Sequence, residues 1–203
     1  KKIISKAVLH MVINTPFILA SKSLSRRRIL KNNNLNFKQI KPSCNEEKHK
    51  KKLLRRGDPP AKIALELSKL KAKSISKIKK NILVIGSDTI IFFKGGVVEK
   101  AKNMTEAKEK IRTLSGKTHT IESAASAYYN NKLVWSSVEK TTVKMRKINL
   151  EEADNYLKRS GKKILDSVGC YQIEKNGPNI IENIRGDFFN VMGFPLFPFL
   201  VFL

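Results

Sequence analysis

The chain has 203 residues, 41% hydrophobic and 29% charged. That is enough apolar material for one domain with a sizeable core, and too much for a disordered or collagen-like chain. Its two cysteines, Cys44 and Cys170, stand far apart with no CxxC or Cys/His cluster, which excludes a disulfide scaffold and a structural zinc site, since the latter needs about four closely spaced soft ligands.

Lysine and arginine number 41 against 17 acids, a formal charge of +24. Such a balance suits a polyanion: nucleic acid, an anionic membrane or a phosphate-rich small substrate. The cations, however, are 32 Lys and 9 Arg beside 16 Asn and 21 Ile, the mark of an AT-rich coding sequence. Nucleic-acid readers lean on Arg for bidentate contacts, so coding bias outweighs nucleic-acid binding here. The densest run, Lys48 to Arg56, reads as a solvated loop or helix face. The longest apolar stretch, Val191 to Leu203, is broken by Gly193, Pro195 and Pro198 and is shorter than the about twenty residues of a membrane span. It reads as core or a terminal helix, and no membrane partner is expected. Residues 1–10 lack a secretory cleavage site and read as an extension before Met11, with 11–203 as one domain. The cysteine usage places the chain in a reducing, cytoplasmic setting.

In chain order, Phe17 to Ala20 is a short buried strand, followed by a helix opening near Ser23 and ending within 31–36. Asp58-Pro59-Pro60 is a helix start with Asp58 as cap and Pro59 at the first helical position. Ile63, Leu67, Leu70, Ser74 and Ile78 then trace one face. Residues 82–86 form a central strand, Thr89 to Phe93 continues extended, Gly95-Gly96 turns, and Val97-Val98 returns. A helix follows from Asn103 to Leu114, with an Asn103/Glu106 capping box and Gly116 closing it. Residues 119–145 make two antiparallel strands around an Asn130-Asn131 turn. A helix runs from Asn149 to about Arg159, and short strands and turns occupy 170–191. Helices interleaved with strands and hairpins indicate an α/β fold with a mixed central β-sheet flanked by helices.

Three places carry candidate chemistry. Ser21-x-Ser23-x-x-Arg26 at a strand-to-helix junction offers hydroxyls, a cation and unpaired helix N–H groups, all of which suit an anion; ordinary capping by Ser23 beside a solvated Arg cluster is the bland alternative. Gly86-Ser87-Asp88-Thr89 puts a carboxylate after a strand, where it could hold a metal, polarise water, or merely make an Asx-turn. Gly169 to Glu174, followed by Gly186 to Pro195, is dense in Gly, aromatic and Asn residues; it could form a base pocket or a set of tight turns.

Together these segments resemble the Maf family of nucleoside triphosphate pyrophosphatases. The resemblance rests on Leu19-Ala20-Ser21-Lys22-Ser23-Leu24-Ser25-Arg26 and on Asn45-Glu46, where one acid of the family's pair is replaced. It continues through Lys71-Ala72, Gly86 to Thr89, Lys100-Ala101 in place of Lys-Pro, Leu114 to His119, 169–174 and 186–195. It spans about residues 16–200 in the expected order. It implies the architecture shared with inosine triphosphatase-like proteins, and hydrolysis of a nucleoside triphosphate between the α and β phosphates, giving monophosphate and pyrophosphate. It implies a divalent cation, Mg²⁺ or Mn²⁺, held by Glu46 and Asp88, with Asp88 also the base for the attacking water. Ser21, Ser23, Arg26, Lys71 and Lys100 are implied to hold phosphate oxygens, and Glu174 to face the nucleotide. Family members carry Gln or Glu there, and a carboxylate only accepts hydrogen bonds. A homodimer and a role in inhibiting cell division are further implications, and a basic nucleic-acid-binding protein on the same fold is the alternative.

Helix geometry is consistent with Lys71. At 100° per residue it lies about 40° from Leu67, close enough to reach round to the sheet, whereas Lys69 lies about 160° away and faces water. His119 is left out of the site. Cys170 reads as a small buried filler, because no local cation lowers its pKa.

Overall fold

The computed structural model describes residues 15–203; the extension read at 1–10 and Met11 lie outside the described residues. The first strand, β1 (Phe17–Ala20), is buried along its whole length, as four consecutive apolar residues require of an interior strand covered on both faces. Helix α1 (Leu24–Asn32) follows, capped by Ser23, whose side chain accepts from the Arg26 amide. Strand β2 (Phe37–Ile40) pairs in parallel with β1; its FKQI sequence was too polar to announce it. The basic run is helix α2 (Glu46–Arg55), a solvated helix with Leu53 as its buried residue.

Helix α3 (Pro60–Ser76) has Pro59, not Asp58, at its N-cap and makes no side-chain cap bond. Asp58 is instead paired with Arg56 and Lys62. The buried face also differs from the expected stripe. Ile63, Ala64, Leu67, Ser68, Lys71, Ala72, Ile75 and Ser76 face inward, while Ile78 is 67% exposed. The cause is Gly86 in the strand below: a Cβ there would meet the Ser68 carbonyl at 2.2 Å and the Ala72 amide at 2.6 Å. Backbone this close admits only small residues between helix and strand, so Ser68 and Ala72 set the rotation of α3 rather than Leu70.

Strand β3 (Leu83–Phe93) is one continuous strand of 11 residues, so Asp88 lies within it rather than just after a strand ending at Gly86. It turns at Lys94-Gly95, both left-handed, into β4 (Gly96–Val98), so Gly96 belongs to the strand and Lys94 to the turn. Two left-handed residues give the type I′ geometry that matches strand twist. The cap of α4 (Met104–Leu114) is half a box: Asn103 accepts from the Glu106 amide, but Glu106 accepts from Lys102 rather than Asn103. Strands β5 (Thr118–Tyr129) and β6 (Lys132–Met145) form the long hairpin, turning at left-handed Asn130 and Asn131. Helix α5 (Leu150–Ser160) carries a complete capping box from Asn149 and Glu152. Within 170–191 the one strand among the described residues is β7 (Ile181–Arg185), and the chain ends in α6 (Phe188–Met192) and α7 (Leu196–Phe202).

The sheet order is β2-β1-β3-β5-β6-β7, with β4 added to β3. β1 is parallel to β2 and β3 and the remaining pairs are antiparallel, which makes a mixed sheet. α3 covers one face through Ala72 and Ile75 against Ile18 and Val84. α1, α6 and α7 cover the other, with Ile29, Leu30, Phe194 and Phe199 on Phe17, Leu19 and Ile85. α4 and α5 close around Ile91, Ile121 and Val143. No helix among the described residues is long and apolar enough to cross a membrane.

Candidate active site

Strand β1 stops at Ala20, opposite Gly86, whereas β3 runs on. On that edge of β3 the next partner is β4, which begins to pair at Ile91; the other edge is occupied throughout by β5. Residues 87–90 therefore border a gap in the sheet. Asp88 lies inside a strand, yet just past the carboxyl end of the neighbouring parallel strand, where open α/β sheets gather ligands. Side chains alternate across a strand, so Gly86 and Asp88 face α3 while Ser87 and Thr89 face α6.

On the α3 side, Lys71 is 6% exposed and its ammonium has three acceptors: Asp88 Oδ1 at 2.5 Å, Glu46 Oε2 at 2.9 Å and the Ser87 carbonyl at 3.4 Å. A buried ammonium with three donors is fully satisfied by this set. Lys71 sits on the centre of the buried face rather than at its edge, and Lys69, partly exposed, pairs with Glu66. Glu46 comes from the first turn of α2. Asn45, which replaces an acid of the family pair, caps that helix by accepting from the Lys48 amide at 2.9 Å.

On the opposite side, Arg26 is 8% exposed. Its Nε donates to the Gly193 carbonyl at 2.8 Å, Nη2 to Thr89 Oγ1 at 2.9 Å and Nη1 to Ser21 Oγ at 3.4 Å. Burial lowers its pKa, and the charges of Asp88 and Glu46 act in the other direction, which puts all three within one electrostatic field. Ser21 Oγ also accepts from the Ser23 amide at 3.1 Å. The Ser21–Ser23 loop is pinned by Gln39, whose Nε2 donates to both of their carbonyls. Gln39 was not foreseen, since it lies on the unrecognised β2.

Lys100 follows β4. Its residue is exposed, but its ammonium is partly desolvated. Burial lowers its pKa first, the positive charges of Arg26 and Lys71 lower it further, and Asp166 and Asp88 oppose them. Ser21, Ser23 and Arg26 are thus bonded together on one side of the gap and Lys71, Glu46 and Asp88 on the other, with Lys100 within the field of Arg26, Lys71 and Asp88. Glu174 does not join their contacts: it accepts from Ser25 at 3.4 Å and Arg28 at 3.2 Å on the flank of α1.

Cys44 lies beside Glu46 and Lys71, with its thiol pKa raised first by burial and then by Glu46, which disfavours the thiolate. Cys170 is buried, and burial raises it as well, in keeping with a filler. His119 is buried, bonds Tyr171 Oη at 2.6 Å, and is pushed down to about 4 by burial.

Among the described residues no three His, Cys, Asp or Glu side chains gather as a metal-binding group. The acidic donors are Glu46 and Asp88, drawn to one ammonium. Two carboxylates supplemented by substrate phosphates and water suit Mg²⁺, which is commonly bound in that way, so this donor set fits the cation.

A Maf-like protein family model matches residues 16–203. The nucleoside triphosphate pyrophosphatase of Caulobacter vibrioides is 36% identical over 189 residues, 93% of this chain and 94% of that protein. The 7-methyl-GTP pyrophosphatase of Rhizobium meliloti is 37% identical over 183 residues, 90% and 92% of the two chains. A nucleoside triphosphate pyrophosphatase of Pelagibacter ubique is 34% identical, covering 88% and 92%. With nearly its whole described length matched by the family model and relatives more than 30% identical over about nine-tenths of it, the chain belongs to the Maf-like protein family.

Proposed function

We propose that the chain is a hydrolase acting on acid anhydrides of phosphorus, cleaving a nucleoside triphosphate into its monophosphate and pyrophosphate. The observation that carries this reading is Asp88 at the gap in the sheet, flanked by Lys71 on one face and Arg26 on the other. A triphosphate brings about four negative charges, and its hydrolysis is chiefly a matter of positioning and charge neutralisation. The N-terminal turn of α1, with Ser21 and Ser23, presents N–H groups and a partial positive charge to phosphate oxygens. Two of the five guanidinium donors of Arg26 remain for them, and Lys100 and Lys71 supply further cations.

Asp88 accepts a proton from water at the carboxylate oxygen that Lys71 leaves free. The oxygen of that water bonds to phosphorus, the bridge between the α and β phosphates breaks, and its electron pair leaves on pyrophosphate. Lys71 fixes the carboxylate for this step. Glu46 and Asp88 would hold the Mg²⁺ or Mn²⁺, which supplies charge neutralisation at the phosphoryl oxygens when bound. Glu174, an acceptor only, sits against the flank of α1 through Ser25 and Arg28 and selects a base that presents an N–H donor.

The test is pyrophosphate release from a panel of canonical and modified triphosphates, with Mg²⁺, Mn²⁺ or chelator. Release that needs the metal and falls by about 10²–10⁴-fold in Asp88→Asn, the range for loss of a general base, is the expected result. Failure of every triphosphate with either metal refutes the reading, and robust turnover by Asp88→Asn removes Asp88 from its role.

A further inference from the structure

Beneath Arg26 two hydroxyls, that of half-buried Thr89 and that of fully buried Ser123, link the guanidinium to the Asn190 carbonyl. Arg26 Nη2 lies 2.9 Å from Thr89 Oγ1, Thr89 Oγ1 lies 2.9 Å from Ser123 Oγ, and Ser123 Oγ lies 2.9 Å from the Asn190 carbonyl. A guanidinium can only donate and a carbonyl can only accept. Each hydroxyl has one proton: Arg26 donates to Thr89 and Ser123 to Asn190, and the Thr89 proton lies between Ser123 Oγ at 2.9 Å and the Gly193 carbonyl at 3.3 Å, the shorter contact completing the chain. Ser123 is 0% exposed, and Thr89 and Ser123 are directly opposed across β3 and β5.

The far end is rigid. Asn190 is also 0% exposed; its Oδ1 accepts from the Ser123 amide at 3.0 Å, and its Nδ2 donates to Thr141 Oγ1 at 2.7 Å and the Ile121 carbonyl at 3.2 Å. Its own amide is held by Asp187 Oδ1 at 2.6 Å. Three residues on, the Gly193 carbonyl receives Arg26 Nε, while the Gly193 amide donates back to the Asn190 carbonyl. The guanidinium is thus gripped at Nε and at Nη2 by two arms that both start from Asn190.

We propose that Ser123 and Asn190 are positioning residues for the triphosphate reaction, orienting Arg26 through this hydroxyl chain; the inference rests on the function proposed above. A full set of paired donors and acceptors in a dry setting rigidifies, whereas one missing hydroxyl leaves its neighbour short of a partner. Ser123→Ala deletes the middle link without touching any group that meets substrate. Thr89→Val deletes the first link at constant shape, and Thr89→Ser retains it.

Two measurements on the full chain test this. The first is the hydrogen-exchange rate of the Arg26 guanidinium protons by NMR without substrate, the resonance being assigned by its loss in Arg26→Lys. The second is kcat/KM for pyrophosphate release. In Ser123→Ala and Thr89→Val we expect guanidinium exchange to accelerate and kcat/KM to fall about tenfold. The double variant should be no worse than Thr89→Val, and Thr89→Ser should stay near wild type in both readouts. Unchanged exchange, or accelerated exchange with unchanged kcat/KM, overturns the proposal. If the wild type releases no pyrophosphate, the function proposed above fails, and with it the role in that reaction; exchange in Ser123→Ala then reports on the hydroxyl chain alone. If Ser123→Ala does not fold, the Thr89→Val and Thr89→Ser pair decides.

Discussion

Replacing Gly86 with alanine tests whether the fit of α3 on β3 sets the site. The added Cβ would stand 2.2 Å from the Ser68 carbonyl and 2.6 Å from the Ala72 amide. Both obstacles are backbone, so no side chain can rotate out of the way; the helix must retreat by about 1 Å or more to reach ordinary contact distance. Overpacking of this kind costs about 1–3 kcal/mol. Lys71 rides on the same turn, next to Ala72, so the retreat loosens its contact with Asp88, now 2.5 Å. A displacement of about 1 Å at a reacting group can lower turnover by about 10²-fold. The assay pairs thermal unfolding with pyrophosphate release: Gly86→Ala should melt several degrees lower, yet remain folded at 25 °C with kcat/KM reduced by about two orders of magnitude. A variant with wild-type melting and wild-type turnover would refute the claim that this approach positions Lys71.

Two further outcomes follow from charges in the interior. His119 is neutral and buried, with a pKa near 4 against an ordinary 6.5. The unfolded chain takes up the proton first, so the stability it contributes is complete above pH 6.5 and is lost as pH falls towards 4, about 3 kcal/mol in all; an NMR titration of its ring with a midpoint near 6.5 would contradict this. Burial together with Arg26 and Lys71 holds the Lys100 ammonium below its ordinary pKa, so it discharges earlier on the alkaline side than a free lysine. Lys100→Arg should carry activity to higher pH, and an unmoved alkaline limb in the pH–rate profile counts against Lys100 as a phosphate cation.

Much of this was legible in the chain itself. The apolar run 17–20, the Ser23 cap, the Asn130-Asn131 turn and the Asn149/Glu152 box are local signals that act over a few residues, and the structure repeats them. β2 was missed because FKQI is half-exposed on an edge strand and shows no buried run. Asp88 falls within a strand rather than after one because a strand's continuity is set by its partner: β5 pairs with every residue from Leu83 to Phe92, which no property of Gly86-Ser87-Asp88-Thr89 reveals. Ser123 and Gln39 were overlooked for the same reason, since their roles come from strands that meet them across the sheet. Asn190 did leave a trace, as a lone amide within an apolar run.

The sequence alone determined the interleaving of helices and strands and the types of group available to a phosphate tail, because propensity, capping and motif chemistry are written in neighbouring residues. The tertiary structure decided where those groups meet. Gly86 lets α3 come down on β3, the early end of β1 opens the gap at 87–90, and the pairing of β3 with β5 carries the hydroxyls that hold Arg26. These depend on contacts between residues tens of positions apart, whose distances are set only when the sheet is assembled and the helices have packed against it.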